Sequence, residues 1–334
     1  PSGYFTVLNI TEDDITREGG YPLPRQRLAE INTQLKKKGA LGIGWVVAFP
    51  QPDRFGGDEA FKQSLEDIPS VLAMFEGDNA LYPNTTGTVI LGEDVGGTPA
   101  AGVIQNIDLF KQSSQQGIAV ARTEVDSLIR RLPLLLRTPD GWVPAYGTEV
   151  LKILVGADTY VIKTNDNGLE EIRVRGLPPV PVDSLGRKWI SFVNTPHTNL
   201  KDMDVQDKFV FIGYTAKGIM PQLATPVGLL EPHMIQASLA ESILIENSPY
   251  VPDYAIALEL MLFALSICIV WVLLNVGGMS LGIVLGLTIM IATTSYGYWT
   301  IQQGLLIDVT WSLISQFITG ATAFYLRFRE QYKL

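Results

Sequence analysis

Three stretches decide the fold: 254-YAIALELMLFALSICIVWVLLNV-276, 279-MSLGIVLGLTIMIATTSYGYW-299 and 305-LLIDVTWSLISQFITGATAFYL-326. At about 1.5 Å of helical rise per residue, each is long enough to cross a hydrocarbon core of about 30 Å. The first carries one acid, Glu259; the second has no charge; the third has only Asp308, near its start. No Lys or Arg occurs between Lys217 and Arg327. Tyr254, Tyr296, Tyr298, Trp299, Trp311 and Tyr325 mark the edges, where interfacial aromatic belts form. Asn275-Val276-Gly277-Gly278 and Thr300-Ile301-Gln302-Gln303-Gly304 read as tight connectors. The alternative is three buried helices of a soluble core. Three such runs in succession with no basic residue weigh against it.

Direction follows from positive charge. Arg327, Arg329 and Lys333 crowd the end of the last run, and the two connectors have none. The positive-inside rule then puts the C-terminus in the cytoplasm, and three spans put the large N-terminal part outside. The expected plan is an extracytoplasmic α/β domain over 1–250 with a mixed, partly parallel sheet. A three-helix transmembrane segment over 251–326 follows, with spans at 254–276, 279–299 and 305–326. Residues 327–334 start a cytoplasmic tail. The expected location is a bacterial inner membrane, with lipid around the spans. Glu259 and Asp308 read either as proton or ion carriers or, preferably, as acids that reach water at the outer interface. The chain begins at Pro1 with no visible signal peptide, which reads as a processed or truncated start; a further upstream anchor is left open.

Composition excludes several functions. The chain holds 34 acidic against 25 basic residues, for a net charge of −9, and the excess lies ahead of the apolar runs. A phosphate backbone demands a basic face, so no nucleic-acid partner is expected. The single cysteine, Cys268, permits no internal disulfide, and no Cys/His cluster has zinc spacing. No metal or cofactor is expected. G-x-S-x-G, H-E-x-x-H and a strand-to-helix GxGxxG are absent, and two histidines leave few members for a triad. Residues 1–334 are therefore read as non-catalytic, with an output enzyme domain possible beyond Leu334.

Within 1–250, β-rich runs alternate with amphipathic ones. Tyr4 to Ile10, Ile43 to Phe49 and Val71 to Phe75 read as strands, and Arg25 to Lys38 as a helix through Leu28, Ile31 and Leu35. That order argues parallel pairs with helices on the sheet faces. Further on, Ile118 to Ala121, Leu132 to Leu136 and Lys208 to Tyr214 read as strands. Val143 to Leu154 and Pro232 to Glu246 read as helices. Tyr160 to Lys163 and Glu171 to Val174 flank Asn165-Asp166-Asn167-Gly168, a hairpin signal. Asp53–Gly57 and Gly92–Gly102 read as surface loops.

Four segments together resemble a known family. "VLNITEDDITREGGYPLPR" has a strand, an acidic turn and Tyr21-Pro22-Leu23-Pro24-Arg25. "KKKGALGIGWVVAFPQPD", "SLIRRLPLLLRTPDGWVPAYGTEVLKI" and "DKFVFIGYTAKGIMPQLATPVG" follow in order, then a helix into the membrane. The chain resembles the CHASE2 extracytoplasmic sensor family over nearly its whole length. The resemblance implies three following transmembrane helices, then a cytoplasmic output domain. It departs from the family at Gly44-Trp45-Val46, where an acid is common, and at Asp126-Ser127, where Asp-Gly is. Pro232-His233-Met234-Ile235-Gln236-Ala237 has Met234 and Gln236 at the usual Glu and His.

Candidate ligand-binding residues are Asp13, Asp14, Arg25, Arg130, Tyr214 and Thr215. The first three cluster beside a strand end, where open α/β sheets bind ligands. Arg25 has the fork for a carboxylate or phosphate; its competing reading is a tie to the loop backbone or to Asp13/Asp14. Arg130 and Arg131 would point to opposite faces of a strand. Tyr214 and Thr215 offer hydroxyls after a strand, where an ordinary turn is the competing reading. The expected function is a receptor or sensor subunit, working as a homo-oligomer, whose outer domain binds a ligand or partner. The alternative is an envelope scaffold with protein partners, for which Trp142, Trp189 and Tyr160 offer contact surface.

Overall fold

Strands Phe5–Ile10 and Phe209–Tyr214 are apolar on both sides, as a parallel strand covered on both faces must be. They pair in parallel, Phe5 opposite Phe209 through Ile10 opposite Tyr214. A computed structural model describes residues 1–78, 81–245, 248–276 and 278–332. Two compact units result, Pro1–Ser248 and Pro249–Leu334.

The main sheet of the first unit runs His197–Asn199, Phe5–Ile10, Phe209–Tyr214, Gly42–Trp45, Ser70–Glu76. All these pairs are parallel. Gln115–Ile118 adds in parallel to Ser70–Glu76, and Val103–Ile104 adds antiparallel. Parallel neighbours need crossovers. Helices Arg25–Lys37 and Asp58–Glu66 provide the first two. Side chains alternate between two cores along each strand. Leu8, Val210 and Ile212 pack with Leu28, Ile31 and Leu35. Phe5, Phe209 and Phe211 pack with Tyr146, Ile235 and Leu239. The second core is closed by helices Tyr146–Leu154 and Pro232–Leu244.

These two helices meet at Gly147. A Cβ there would stand 2.7 Å from the Gln236 carbonyl oxygen and 3.2 Å from the Ala240 nitrogen. Backbone cannot yield as a flexible side chain would. Gly147→Ala is expected to cost about 2 kcal/mol by urea unfolding, through forced separation of the helices. An unchanged midpoint would contradict this packing.

The expected hairpin is present: Thr159–Asn165 pairs antiparallel with Gly168–Val174. Five boundaries differ from the sequence reading. Ile43 to Phe49 is a strand only over Gly42–Trp45, because the Phe49 N–H leaves the sheet for Asn106 Oδ1, 2.7 Å away. Leu132 to Leu136 is two strands, Arg131–Pro133 and Leu135–Thr138, in different sheets; Pro133 has no N–H to carry the ladder on. The strand expected at Ile118 to Ala121 lies at Gln115–Ile118. The helix expected from Val143 begins at Tyr146, since Gly141–Pro144 is a strand. Helix Pro232–Leu244 stops short of the expected Glu246, which lies outside the described residues.

The second unit holds helices Ala255–Val276, Gly278–Gln302 and Thr310–Tyr332. Two are long and apolar enough to cross a membrane, and only 17% and 11% of their apolar windows are buried. Apolar helices so exposed suit a lipid environment. Gln316 Nε2 donates to Ser266 Oγ at 3.0 Å and Thr293 Oγ1 at 2.9 Å, tying the three helices with polar contacts. The third helix starts five residues later than expected. Leu306 N–H donates to the Tyr250 carbonyl, and Asp308 Oδ1 accepts the Thr310 N–H as a helix cap, so 305–309 is not helical. Glu259 Oε1 accepts the Asp308 N–H at 2.8 Å, giving both acids a structural task. Gly277, in the expected first connector, lies outside the described residues.

Candidate functional site

Parallel pairing brings the carboxyl ends of Phe5–Ile10 and Phe209–Tyr214 side by side, and the Thr215 N–H donates to the Ile10 carbonyl at 3.0 Å. Asp14 follows that end and is buried. Its Oδ2 accepts the Thr11 N–H at 2.9 Å while Thr11 caps its own N–H, and Arg17 pairs with it. Asp13 is exposed one residue earlier. Tyr214 is buried edge-on against Tyr21, with ring centres 5.3 Å apart. Burial pushes its phenol up.

Arg25 turns to the loop at 51–58 and not to Asp13 or Asp14. Its N–H donates to Asp53 Oδ2 at 2.8 Å, its Nε faces Asp58 Oδ1 at 3.6 Å, and its guanidinium lies 4.3 Å from the Phe49 ring centre. Burial lowers its pKa, opposed by Asp58 and Asp53. Arg130 sits elsewhere, in a bidentate pair with Asp126 at 2.7 and 2.6 Å. Arg131 pairs with Glu124 and lies over the Trp189 ring. Each candidate arginine therefore has an internal acidic partner.

The sequence reading missed a polar chain on the other face of these strands. His233 Nε2 meets Asn9 Oδ1 at 2.8 Å, and Asn9 Nδ2 meets His197 Nδ1 at 3.2 Å. An amide N–H can only donate, so in this arrangement His197 Nδ1 accepts and His233 Nε2 donates. Burial, with His197 beside it, pushes the His233 pKa down to about 3. Burial also lowers that of His197, against Glu231. Gln236, at the family's usual His, accepts the Gly147 N–H at 3.2 Å and donates to the Val120 carbonyl at 3.0 Å. Helix Pro232–Leu244 is thus held to two strand ends and to a second helix by side-chain amides and imidazoles. Asn9, an amide flanked by Leu8 and Ile10 in a buried strand, was the available signal.

A second missed feature lies in helix Tyr146–Leu154. Glu149 is 1% exposed and accepts from Lys152 Nζ at 2.8 Å and from Tyr160 Oη at 2.6 Å. Lys152 Nζ also reaches Thr86 Oγ1 at 3.2 Å. Burial raises the Glu149 carboxyl pKa, while Lys152 and the Tyr160 hydroxyl hold it down. Glu149 and Lys152 line a cleft of about 700 Å³. Among the described residues no group of three or more His, Cys, Asp or Glu is placed to hold a metal ion.

A model of the CHASE2 domain matches residues 1–278. Neither a curated protein nor a solved structure matches the chain.

Proposed function

The chain belongs to the CHASE2 domain family, whose members are extracytoplasmic sensor modules, and from that premise we propose that it is the sensing part of a membrane receptor. The observation that carries the reading is the order of parts: a sensor domain followed by long apolar helices whose surfaces face outward. In this reading residues 1–250 lie outside a bacterial inner membrane and three spans follow. Arg327 and Arg329 hold the C-terminal end in the cytoplasm. A ligand or partner biases the domain between two states that differ by about 1–3 kcal/mol, the usual range of coupling between sites. Helix Pro232–Leu244 is the natural transmitter, being the last helix before the apolar helices in sequence and the one held by His233 and Gln236. A homo-oligomer would let two such helices move against each other.

One observation favours a second reading, an envelope scaffold that binds other proteins: Asp14, Arg25 and Arg130 are all engaged within the chain.

Topology reporters fused at the two ends, with alkaline extraction of membranes, test the proposal. The expected result is a chain that resists extraction, with its ends on opposite sides. Ends on the same side would remove the third span. Release by alkali would remove the receptor.

A further inference from the structure

The cleft beside Glu149 has a volume of about 700 Å³ and lies within the Pro1–Ser248 unit. Its floor charges are paired with one another, and Glu66 and Asp67 add two exposed acids to the lining. Glu149 is matched by Lys152 and Tyr160, and the other lining cation, Lys111, pairs with Asp108 at 2.8 Å. Among the described residues no arginine lines it. A phosphate or polycarboxylate would find no uncommitted fork or cationic cluster there. A lipid or flat aromatic ligand would find no ring to pack on, since among the described residues no aromatic side chain lines the cleft either.

What remains is a wall of carboxamides and hydroxyls. Asn84, Gln112 and Gln115 line the cleft and make no side-chain hydrogen bond to another described residue. Each carries both donors and an acceptor. The Ser113 hydroxyl donates to the Leu109 carbonyl, and that of Ser114 donates to the Phe110 carbonyl while accepting from Gln116 Nε2, so each oxygen keeps at least one lone pair. Lys152 uses two of its three N–H groups, on Glu149 and Thr86, and keeps the third. Groups that donate and accept in alternation match vicinal hydroxyls, which do the same.

We propose that this cleft binds an uncharged polyhydroxylated molecule of mono- or disaccharide size. The volume of about 700 Å³ suits that size and lies within the usual range for ligand sites. The inference rests on the sensor reading and deepens it by naming the ligand class. The contact would fall on helix Tyr146–Leu154, which abuts the transmitting helix at Gly147.

The test is calorimetric titration of the full chain in detergent with glucose, maltose and trehalose. Sodium phosphate and sodium glutamate serve as charged comparators. The expected result is millimolar or tighter binding of at least one sugar, weakened about tenfold in Q112A/Q115A, which removes about two exposed amides' worth of hydrogen bonding. Both glutamines are exposed, so the variant is expected to keep the wild-type melting temperature. The inference is overturned by binding of no sugar, by preferential binding of phosphate or glutamate, or by sugar binding that Q112A/Q115A leaves unchanged. The topology reporters are read separately. A chain correctly placed in the membrane that ignores sugars loses only the ligand class.

Discussion

Glu149→Ala is expected to lower the stability of the Pro1–Ser248 unit by about 3 kcal/mol, because removing one partner of a buried pair strands the others. Lys152 and the Tyr160 hydroxyl both lie in the interior and both lose their carboxylate. Denaturant unfolding with a probe local to this unit reads the loss. Glu149→Leu combined with Lys152→Met should recover much of it, since apolar replacements of a whole buried pair are often close to neutral. A single variant as stable as wild type would mean that the pair is solvated and the cleft floor is not as described. Glu149 also sets a pH trend. Its folded pKa is raised by burial, so the native state keeps a proton that the unfolded chain has released. Its contribution is fully present below the ordinary glutamate value and is lost as pH rises through the raised folded value.

His233 works in the opposite direction, and with a larger expected effect. Its folded pKa is about 3 against an ordinary 6.5, with burial the first cause and His197 the second. Between those two values the unfolded chain binds a proton that the native state refuses. Stability is then lost as pH falls from about 6.5 towards 3, by on the order of 4 kcal/mol. Protonation would also put a charge against the close-packed Gly213 backbone, on which the ring lies. His233→Gln keeps an N–H for Asn9 Oδ1 and cannot titrate. Its unfolding free energy should lack this acid slope, so the two curves should diverge on acidification. Parallel curves would show that His233 is not buried as a neutral donor.

The sequence disclosed the frame better than the joints. Phe5–Ile10, Arg25–Lys37 and Phe209–Tyr214 fall within a residue of their expected bounds, since apolar spacing and the Lys36-Lys37-Lys38-Gly39 stop are local signals. The break at Pro133 depends on a partner distant in the chain, Gly186, which no local pattern shows, whereas the strand before Tyr146 closes a local hairpin with Leu135–Thr138 that the helical reading of Val143 to Leu154 overran. The candidate site was legible in position only. Asp14, Arg25, Tyr214 and Thr215 do gather near the carboxyl ends of two neighbouring strands, but what each side chain touches is set by loops such as 51–58. The Glu149–Lys152 pair was open to a sharper reading: two charges three apart in "TEVLKIL", on a helix otherwise apolar, call for mutual burial. The Asn9 chain needed the topology, because only the parallel register sets Asn9 opposite Asn199 and Gly213.

The central claim is a sensor domain outside the membrane joined to helices that cross it. Single-cysteine variants in a Cys268→Ser background test it most directly, using a membrane-impermeant maleimide on intact spheroplasts. Val125 is fully exposed on the large unit, and Glu330 lies near the end of the last helix. Labelling of Val125→Cys in intact spheroplasts, with Glu330→Cys labelled only after permeabilisation, is the expected outcome. Protection of Val125→Cys until the membrane is opened would contradict it.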